Sequence, residues 1–132
     1  MILVDTSVWI DYFARKPTQE SFLLENMLVA NQSLCINGLI EMELLQGARS
    51  DFDYRKLQKY LVPFQYFPEI PKRYLDLAGT IYRKCRQNSV TVRKSIDCII
   101  AANAIEEHLA VLQRDRDFEA IQSVFPRLLL VR

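Results

Sequence analysis

The sequence predicts an α/β fold in which a parallel sheet is covered by helices on both faces. Short apolar runs rich in β-branched residues alternate with longer segments of helical spacing, and this alternation is typical of βαβ units. The stretch Ser95–Leu109, SIDCIIAANAIEEHL, is apolar almost all round and therefore predicts a buried helix. Because the chain has 132 residues, half of them hydrophobic, we expect residues 1–132 to form one domain.

The predicted strands are short and apolar. Met1–Val4 is bounded by Asp5, which places this acid at the end of a buried strand. Phe64–Phe67 lies between Pro63 and Pro68, and prolines confine a strand to the edge of a sheet. The five predicted strands are Met1–Val4, Ser33–Ile36, Phe64–Phe67, Ala110–Leu112 and Leu128–Val131.

The predicted helices carry apolar residues at helical spacing, and several follow residues that favour N-caps. Thr6 or Ser7 is expected to cap the first helix. Asn37 is expected to cap the third helix and Ser95 the buried one. The first helix is apolar on more than one face, so it is either buried on both sides or presents part of itself to a partner. The seven predicted helices are Val8–Ala14, Pro17–Gln32, Gly38–Ala48, Asp51–Leu61, Ile70–Gln87, Ser95–Leu109 and Phe118–Phe125.

The composition excludes several classes of function. A net charge of +1 provides no overall attraction for nucleic acid, so such a contact needs a local basic patch. No apolar run approaches the ~20 residues that span a bilayer, and Met1–Val4 is too short for a signal-peptide core, so we expect a cytoplasmic protein. His108 is the only histidine, which excludes sites built from several imidazoles. The widely spaced cysteines are expected to be buried, reduced thiols: Cys35, Cys85 and Cys98.

Acidic residues occur where the carboxyl ends of parallel strands are expected to meet. Asp5 ends the first strand, and Asp115 and Asp117 follow the fourth. Glu43 lies in the helix after the second strand, and Asp97 opens the buried helix. Because ligands bind at the carboxyl ends of such strands, we expect the acids to converge there. Carboxylates without histidine suit Mg²⁺ or Mn²⁺, and such a site supports phosphodiester hydrolysis.

Each of these features also has a purely structural explanation. An acid in the first turn, such as Asp97, stabilises a helix by about 0.3–1 kcal/mol through the macrodipole alone. Basic residues beside the acids could bind a nucleic-acid backbone or could form a solvated face. These basic residues are Arg93, Lys94, Arg114 and Arg116.

Four segments follow one another in a family-specific order: LVDTSVWIDYF, IEMELLQGA, SIDCIIAANAIEEHLAVL and RDRDF. Together they resemble the PIN-domain ribonucleases, in particular the VapC toxins of bacterial and archaeal toxin–antitoxin pairs. The resemblance spans nearly the whole chain. It implies a PIN-like three-layer α/β/α fold around the parallel sheet and a Mg²⁺-dependent endoribonuclease. The acids that match the family's catalytic and metal-site positions are Asp5, Glu43, Asp97 and Asp115.

Some positions depart from the family pattern or are ambiguous. Gln113 stands where the family often has Thr or Ser before the fourth acid, so a hydroxyl contact near the metal is expected to be missing. Glu41 is expected to face solvent, and Asp117 to cap the last helix. Arg93 is expected to contact RNA phosphate or to orient Asp97.

The resemblance further implies an RNA substrate, a homodimer and an inhibitory VapB-type antitoxin. In that family the antitoxin's C-terminal segment packs into a groove near the first helices and often inserts an arginine toward the acids. We expect the same here, with antitoxin contacts from Trp9, Tyr12 and Phe13. One alternative is a catalytically silent PIN-like module that binds RNA or protein. A phosphatase or phosphotransfer domain ranks lowest, because the segment DTS provides no nucleophile pair.

Overall fold

A computed structural model describes residues 1–131 and contains a parallel sheet of five short strands. Each predicted strand is confirmed, with ends that differ by at most one residue. The single-domain prediction extends to Arg132, which lies outside the described residues. The strands are β1 (Ile2–Val4), β2 (Leu34–Asn37), β3 (Gln65–Phe67), β4 (Ala110–Leu112) and β5 (Leu129–Leu130).

Seven α-helices are present within residues 1–131, as predicted, and one 3₁₀ turn covers Val62–Phe64. The second helix is shorter than predicted, because Thr18 caps it by accepting from the Ser21 amide at 3.1 Å. The buried helix also ends early, because His108 takes a left-handed backbone conformation with φ of 56°. The helices are α1 (Thr6–Phe13), α2 (Gln19–Val29), α3 (Gly38–Gln46), α4 (Asp51–Leu61), α5 (Lys72–Gln87), α6 (Ser95–Glu106) and α7 (Arg116–Val124).

The strand order β3-β2-β1-β4-β5 places β1 at the centre and β3 at an edge. The chain first builds outward from β1 to β3, then crosses to the other side of β1 for β4 and β5. Since parallel crossovers are right-handed, this reversal places the two sets of helices on opposite faces. Helices α1 to α4 pack with one another, as do α5 to α7. The strand order reverses between β1 and β4, and in open α/β sheets ligands bind at the carboxyl ends of the strands at such a reversal.

The predicted burial of α6 is confirmed. Eight of its residues are buried, including Ile100, Ala101 and Ala104. The helix packs against α5, α7 and β4, so it has apolar neighbours on several sides. The three cysteines are free and buried, as expected. Within residues 1–131, no helix combines the length and apolarity that a bilayer crossing requires.

Candidate active site

Asp5 stands at the carboxyl end of β1 and begins α1. Its amide donates to the Leu112 carbonyl at 2.9 Å, which continues the pairing of β1 with β4. Its Oδ2 accepts from the amide of Ser7 at 3.0 Å and from the Ser7 hydroxyl at 2.6 Å. The prediction that Thr6 or Ser7 caps α1 is therefore wrong, because Asp5 has the extended backbone and the capping carboxylate. Oδ2 of Asp5 accepts both hydrogen bonds.

Asp115 and Asp117 follow β4 at the adjacent strand end. Asp115 is the N-cap of α7, since its Oδ1 accepts from the Asp117 amide at 3.0 Å. The prediction that Asp117 caps this helix is wrong, because Asp117 lies inside the first turn and is buried. Gln113 accepts from the Asp115 amide at 2.6 Å through Oε1. Where the family often has a hydroxyl, this chain thus has an amide side chain that fixes the acid's backbone.

Asp97 lies in the first turn of α6 and is only 2% exposed. The prediction that Ser95 caps α6 is wrong, because Lys94 occupies the N-cap position and makes no capping side-chain bond. Oδ2 of Asp97 has no hydrogen-bond partner among residues 1–131. A buried carboxylate oxygen without a partner is costly. This atom therefore suits a site built to hold a cation.

Glu43 is joined to the start of α1 across the sheet edge. The Thr6 hydroxyl donates to Oε1 of Glu43 at 2.9 Å, which fixes the glutamate of α3 beside the end of β1. Glu41, expected to face solvent, is partly buried and lines a groove beside Met42. Thr6 is a site residue that sequence reasoning missed, although it directly follows Asp5.

The acids share one electrostatic environment. Burial raises the pKa of Asp97 to about 8, and the charge of Lys94 only partly opposes this rise. The charges of three further acids reinforce it: Asp5, Asp115 and Asp117. Burial also raises the pKa of Asp5 against its hydrogen bonds from Ser7, and the charge of Glu43 adds to the rise. Asp97 therefore lies within electrostatic range of Asp5, Asp115 and Asp117, and Asp5 lies within range of Glu43.

Three carboxylates come close enough to ligate one ion. One oxygen each from Asp97, Asp115 and Asp117 lies within 4.8 Å of the other two. Oxygens bound to a single Mg²⁺ are about 3–4 Å apart, so a small side-chain adjustment would complete the arrangement. The all-oxygen donor set and the Asp97 oxygen that accepts no hydrogen bond within residues 1–131 both fit a hard divalent cation. Asp117 was not among the predicted ligands, and the only sequence signal for it was its spacing from Asp115.

Arg93 and Lys94 approach the acids from the loop before α6. Arg93 contacts Asp115 Oδ1 through Nη2 at 2.9 Å and Asp117 Oδ1 through Nε at 3.2 Å. Lys94 Nζ lies 3.2 Å from Asp115 Oδ2 and 3.7 Å from Asp97 Oδ2. Of the two roles expected for Arg93, the structure does not bear out orientation of Asp97, since Lys94 is the basic residue that approaches that acid. Contact of Arg93 with RNA phosphate stays a prediction.

The other two basic candidates differ in their surroundings. Arg114 Nη1 contacts Oδ2 of the buried Asp11 at 2.6 Å, so its guanidinium already has an anionic partner. Arg116 is exposed and makes no ion pair with any of residues 1–131. Contact of these residues with RNA stays a prediction. Asp11, like Thr6, escaped the sequence analysis, because its partner is distant along the chain.

The aromatic residues of α1 divide between core and surface. Trp9 is fully buried, so the interpretation that it is presented to a partner is corrected. It stacks on Phe13, with ring centroids 5.7 Å apart, and Phe64 also packs on it. Phe13 is 41% exposed, and Tyr12 is partly buried. Both line a groove of about 600 Å³ between α1, α2 and α4.

Known proteins share this fold and this sequence pattern. The PIN domain family model matches residues 2–123. VapC ribonuclease Mb1587 of Mycobacterium bovis is 32% identical over 133 residues, covering 94% of this chain and 93% of that protein. Ribonuclease VapC11 of Mycobacterium tuberculosis is also 32% identical, and the match covers 94% of this chain and 93% of that protein.

Solved structures agree in fold. The crystal structure of FitAcB from Neisseria gonorrhoeae superimposes with a TM-score of 0.76 at 18% identity, covering 100% of this chain and 97% of that chain. VapBC2 from Rickettsia felis, bound to a promoter DNA fragment, gives 0.75 at 16% identity, covering 99% and 98%. The expected PIN-like α/β/α architecture is thereby confirmed. The chain belongs to the PIN-domain family and, within it, to the VapC group.

Proposed function

We propose that this chain is a metal-dependent endoribonuclease that acts in the cytoplasm as the toxin of a toxin–antitoxin pair. The observation that carries the proposal is the buried Oδ2 of Asp97, which accepts no hydrogen bond within residues 1–131, in a carboxylate trio with Asp115 and Asp117. The names of the curated relatives, which are ribonucleases, support RNA as the substrate. Solved VapBC structures support the antitoxin.

Mg²⁺ is the ion that we assign to this site, with Mn²⁺ as a substitute. Oδ2 of Asp97 and Oδ2 of Asp115 would hold it, with Asp5, Glu43 and Asp117 completing the acidic surroundings. When bound, such an ion is a Lewis acid that polarises a phosphate oxygen and acidifies water. The chain's own residues orient the acids around this ion. The Ser7 hydroxyl donates to Oδ2 of Asp5 and so fixes that side chain.

Glu43 is the residue that we assign to proton uptake. Its Oε1 accepts from Thr6, which holds the side chain in place and leaves Oε2 for the proton of the attacking water. Arg116 is exposed, and we assign it a contact with RNA phosphate. Arg114 can make such a contact only by sharing its guanidinium with Asp11.

The antitoxin is assigned to the groove between α1, α2 and α4. Phe13, Phe22 and Tyr60 are 41%, 55% and 40% exposed there, and exposed apolar patches mark interaction sites. A VapB-type segment that packs on these rings would cover them. We further propose that an antitoxin arginine reaches the acids, and that the toxin itself is a homodimer.

The proposed activity is tested by cleavage of RNA with purified chain. Asp97→Asn and Asp5→Asn are expected to abolish cleavage, and growth arrest on expression, because each removes a charge from the acidic site. EDTA should abolish wild-type cleavage, and Mg²⁺ should restore it. Asp76→Asn is the matched control, since Asp76 pairs with Lys72 on the exposed face of α5. Undiminished cleavage by Asp97→Asn would remove the proposed site.

A silent RNA- or protein-binding module is the alternative that this assay separates. Such a protein would bind RNA equally with and without EDTA and cut in neither case. The four family acids are all present in this chain, which favours the enzyme.

A further inference from the structure

The two basic residues before α6 engage the acids in different ways. Arg93 donates hydrogen bonds to both oxygens of Asp117, from its backbone amide to Oδ2 and from Nε to Oδ1, each at 3.2 Å. Its Nη2 donates to Oδ1 of Asp115. The oxygens that Arg93 does not contact include Oδ2 of Asp97 and Oδ2 of Asp115. These are the two atoms that face Nζ of Lys94, at 3.7 and 3.2 Å.

Lys94 is held there by charge more than by packing. Its side chain is 52% exposed, and a lysine carries its point charge on a flexible stem. Its ammonium lies within ion-pair distance of both oxygens, and it makes no hydrogen bond to Asp97 Oδ2. A divalent ion bound to the same two oxygens would lie next to the ammonium, and the two positive charges would repel.

We propose that Lys94 is the internal counter-cation of the metal-free site and competes with the divalent ion for Oδ2 of Asp97 and Oδ2 of Asp115. Metal binding then displaces the ammonium toward solvent, where it is available to a substrate phosphate. The residue thereby sets the metal concentration at which the site fills. This inference rests on the proposed function, since it assigns a regulation to the same metal site.

The test is the Mn²⁺ affinity of the full chain without RNA, measured from the electron paramagnetic resonance signal of free Mn²⁺. Lys94→Met is expected to bind Mn²⁺ about tenfold more tightly than wild type, because it removes both the competitor and a nearby positive charge. Lys72→Met is the matched control. It removes the same charge from an exposed pair with Asp76 at 2.9 Å and is expected to leave the affinity unchanged.

A second measurement uses the wild-type chain, in case Lys94→Met does not fold. The rate at which an amine-reactive reagent labels Lys94, followed by mass spectrometry of its peptide, should rise severalfold when Mn²⁺ is added. Labelling of Lys72 should not change.

The outcomes separate this inference from the proposed function. Wild-type Mn²⁺ binding that Lys94→Met leaves unchanged or weakens overturns the inference alone, as does an unchanged labelling rate of Lys94. If wild type binds no Mn²⁺, or if Asp97→Asn does not reduce the binding, the metal site itself is refuted and the inference falls with it.

Discussion

Asn37 and Asn103 form a buried hydrogen bond that joins the helices of two site acids. Nδ2 of Asn37 donates to Oδ1 of Asn103 at 3.0 Å, while Oδ1 of Asn37 accepts from the Ile40 amide and caps α3, as predicted. Both asparagines are almost fully buried. The bond connects α3, which carries Glu43, to α6, which carries Asp97. The one polar interruption of the α6 apolar run thus has a positioning role.

The Asn37–Asn103 bond is expected to stabilise the fold through coupling between the two residues. Asn103→Leu leaves Nδ2 of Asn37 buried and unpaired, which costs about 1–3 kcal/mol. Asn37→Ala additionally loses a helix cap worth about 0.5–2 kcal/mol. Urea unfolding of both single variants and the double variant should give a coupling energy of about 1 kcal/mol. Strict additivity of the two losses would contradict the prediction.

Asp97→Asn is expected to stabilise the metal-free chain at alkaline pH. The pKa of Asp97 rises from 3.8 to about 8 on folding, so the stability linked to its protonated form is complete below pH 3.8 and is lost as the pH rises through 8. In EDTA, the melting temperature of Asp97→Asn should therefore exceed that of wild type by several degrees at pH 8 and by less at pH 5. Asp76→Asn provides the exposed control. An equal difference at both pH values would show that ionisation is not the cause.

Thr6→Val is expected to reduce cleavage with little change in stability. The variant keeps the shape of the side chain but removes the hydroxyl that holds Glu43 at 2.9 Å. A glutamate without this bond spends less time in its working orientation, so kcat should fall about tenfold. Thr80→Val, which loses only a bond to the Asp76 carbonyl on exposed α5, is the control. Wild-type kcat in Thr6→Val would exclude a positioning role for the hydroxyl.

Substitutions of Gly38 and Gly79 by alanine are expected to change the stability of the fold in opposite directions. A Cβ on Gly38 would lie 2.6 Å from the backbone oxygen of Pro68, so Gly38→Ala should destabilise the fold by about 1–3 kcal/mol. Gly79 lies inside α5 with open space around a Cβ, so Gly79→Ala should stabilise it by about 0.5–1 kcal/mol. Chemical denaturation of both variants measures whether the free energy of unfolding falls or rises. A Gly38→Ala variant more stable than wild type would refute the close approach of Gly38 to the Pro68 oxygen.

Arg116→Ala is expected to change the salt dependence of RNA binding. One lost phosphate contact should reduce the slope of log K against log salt by about 0.7 for single-stranded RNA. The measurement uses the uncleaved complex in EDTA at several salt concentrations. Arg114→Ala should change the slope less, because Arg114 is paired with Asp11 at 2.6 Å. Equal slopes for Arg116→Ala and wild type would exclude the phosphate contact.

Local sequence was sufficient for the order of strands and helices and for much of the site's placement. The alternation of strands and helices, the edge position of Phe64–Phe67 and the cap at Asn37 were all predicted, because periodicity, proline positions and capping chemistry act over a few residues. The positions of Asp5 and Asp115 at strand ends followed from the same patterns. Their catalytic roles stay predictions.

The tertiary structure determined which side chains form ion pairs and packing contacts with one another. Arg93 reaches Asp117 across 24 positions, and Arg114 reaches Asp11 across 103. Trp9 is buried, and Tyr60 of α4 and Phe64 of the distant 3₁₀ turn pack against it. Local patterns could show that acids stand near strand ends, but the pairing of individual charges depends on how the β1, β4 and α6 ends meet. Such long-range contacts leave no signal in the neighbouring residues, so only the folded chain reveals Asp117 within the carboxylate trio and Lys94 beside Asp97.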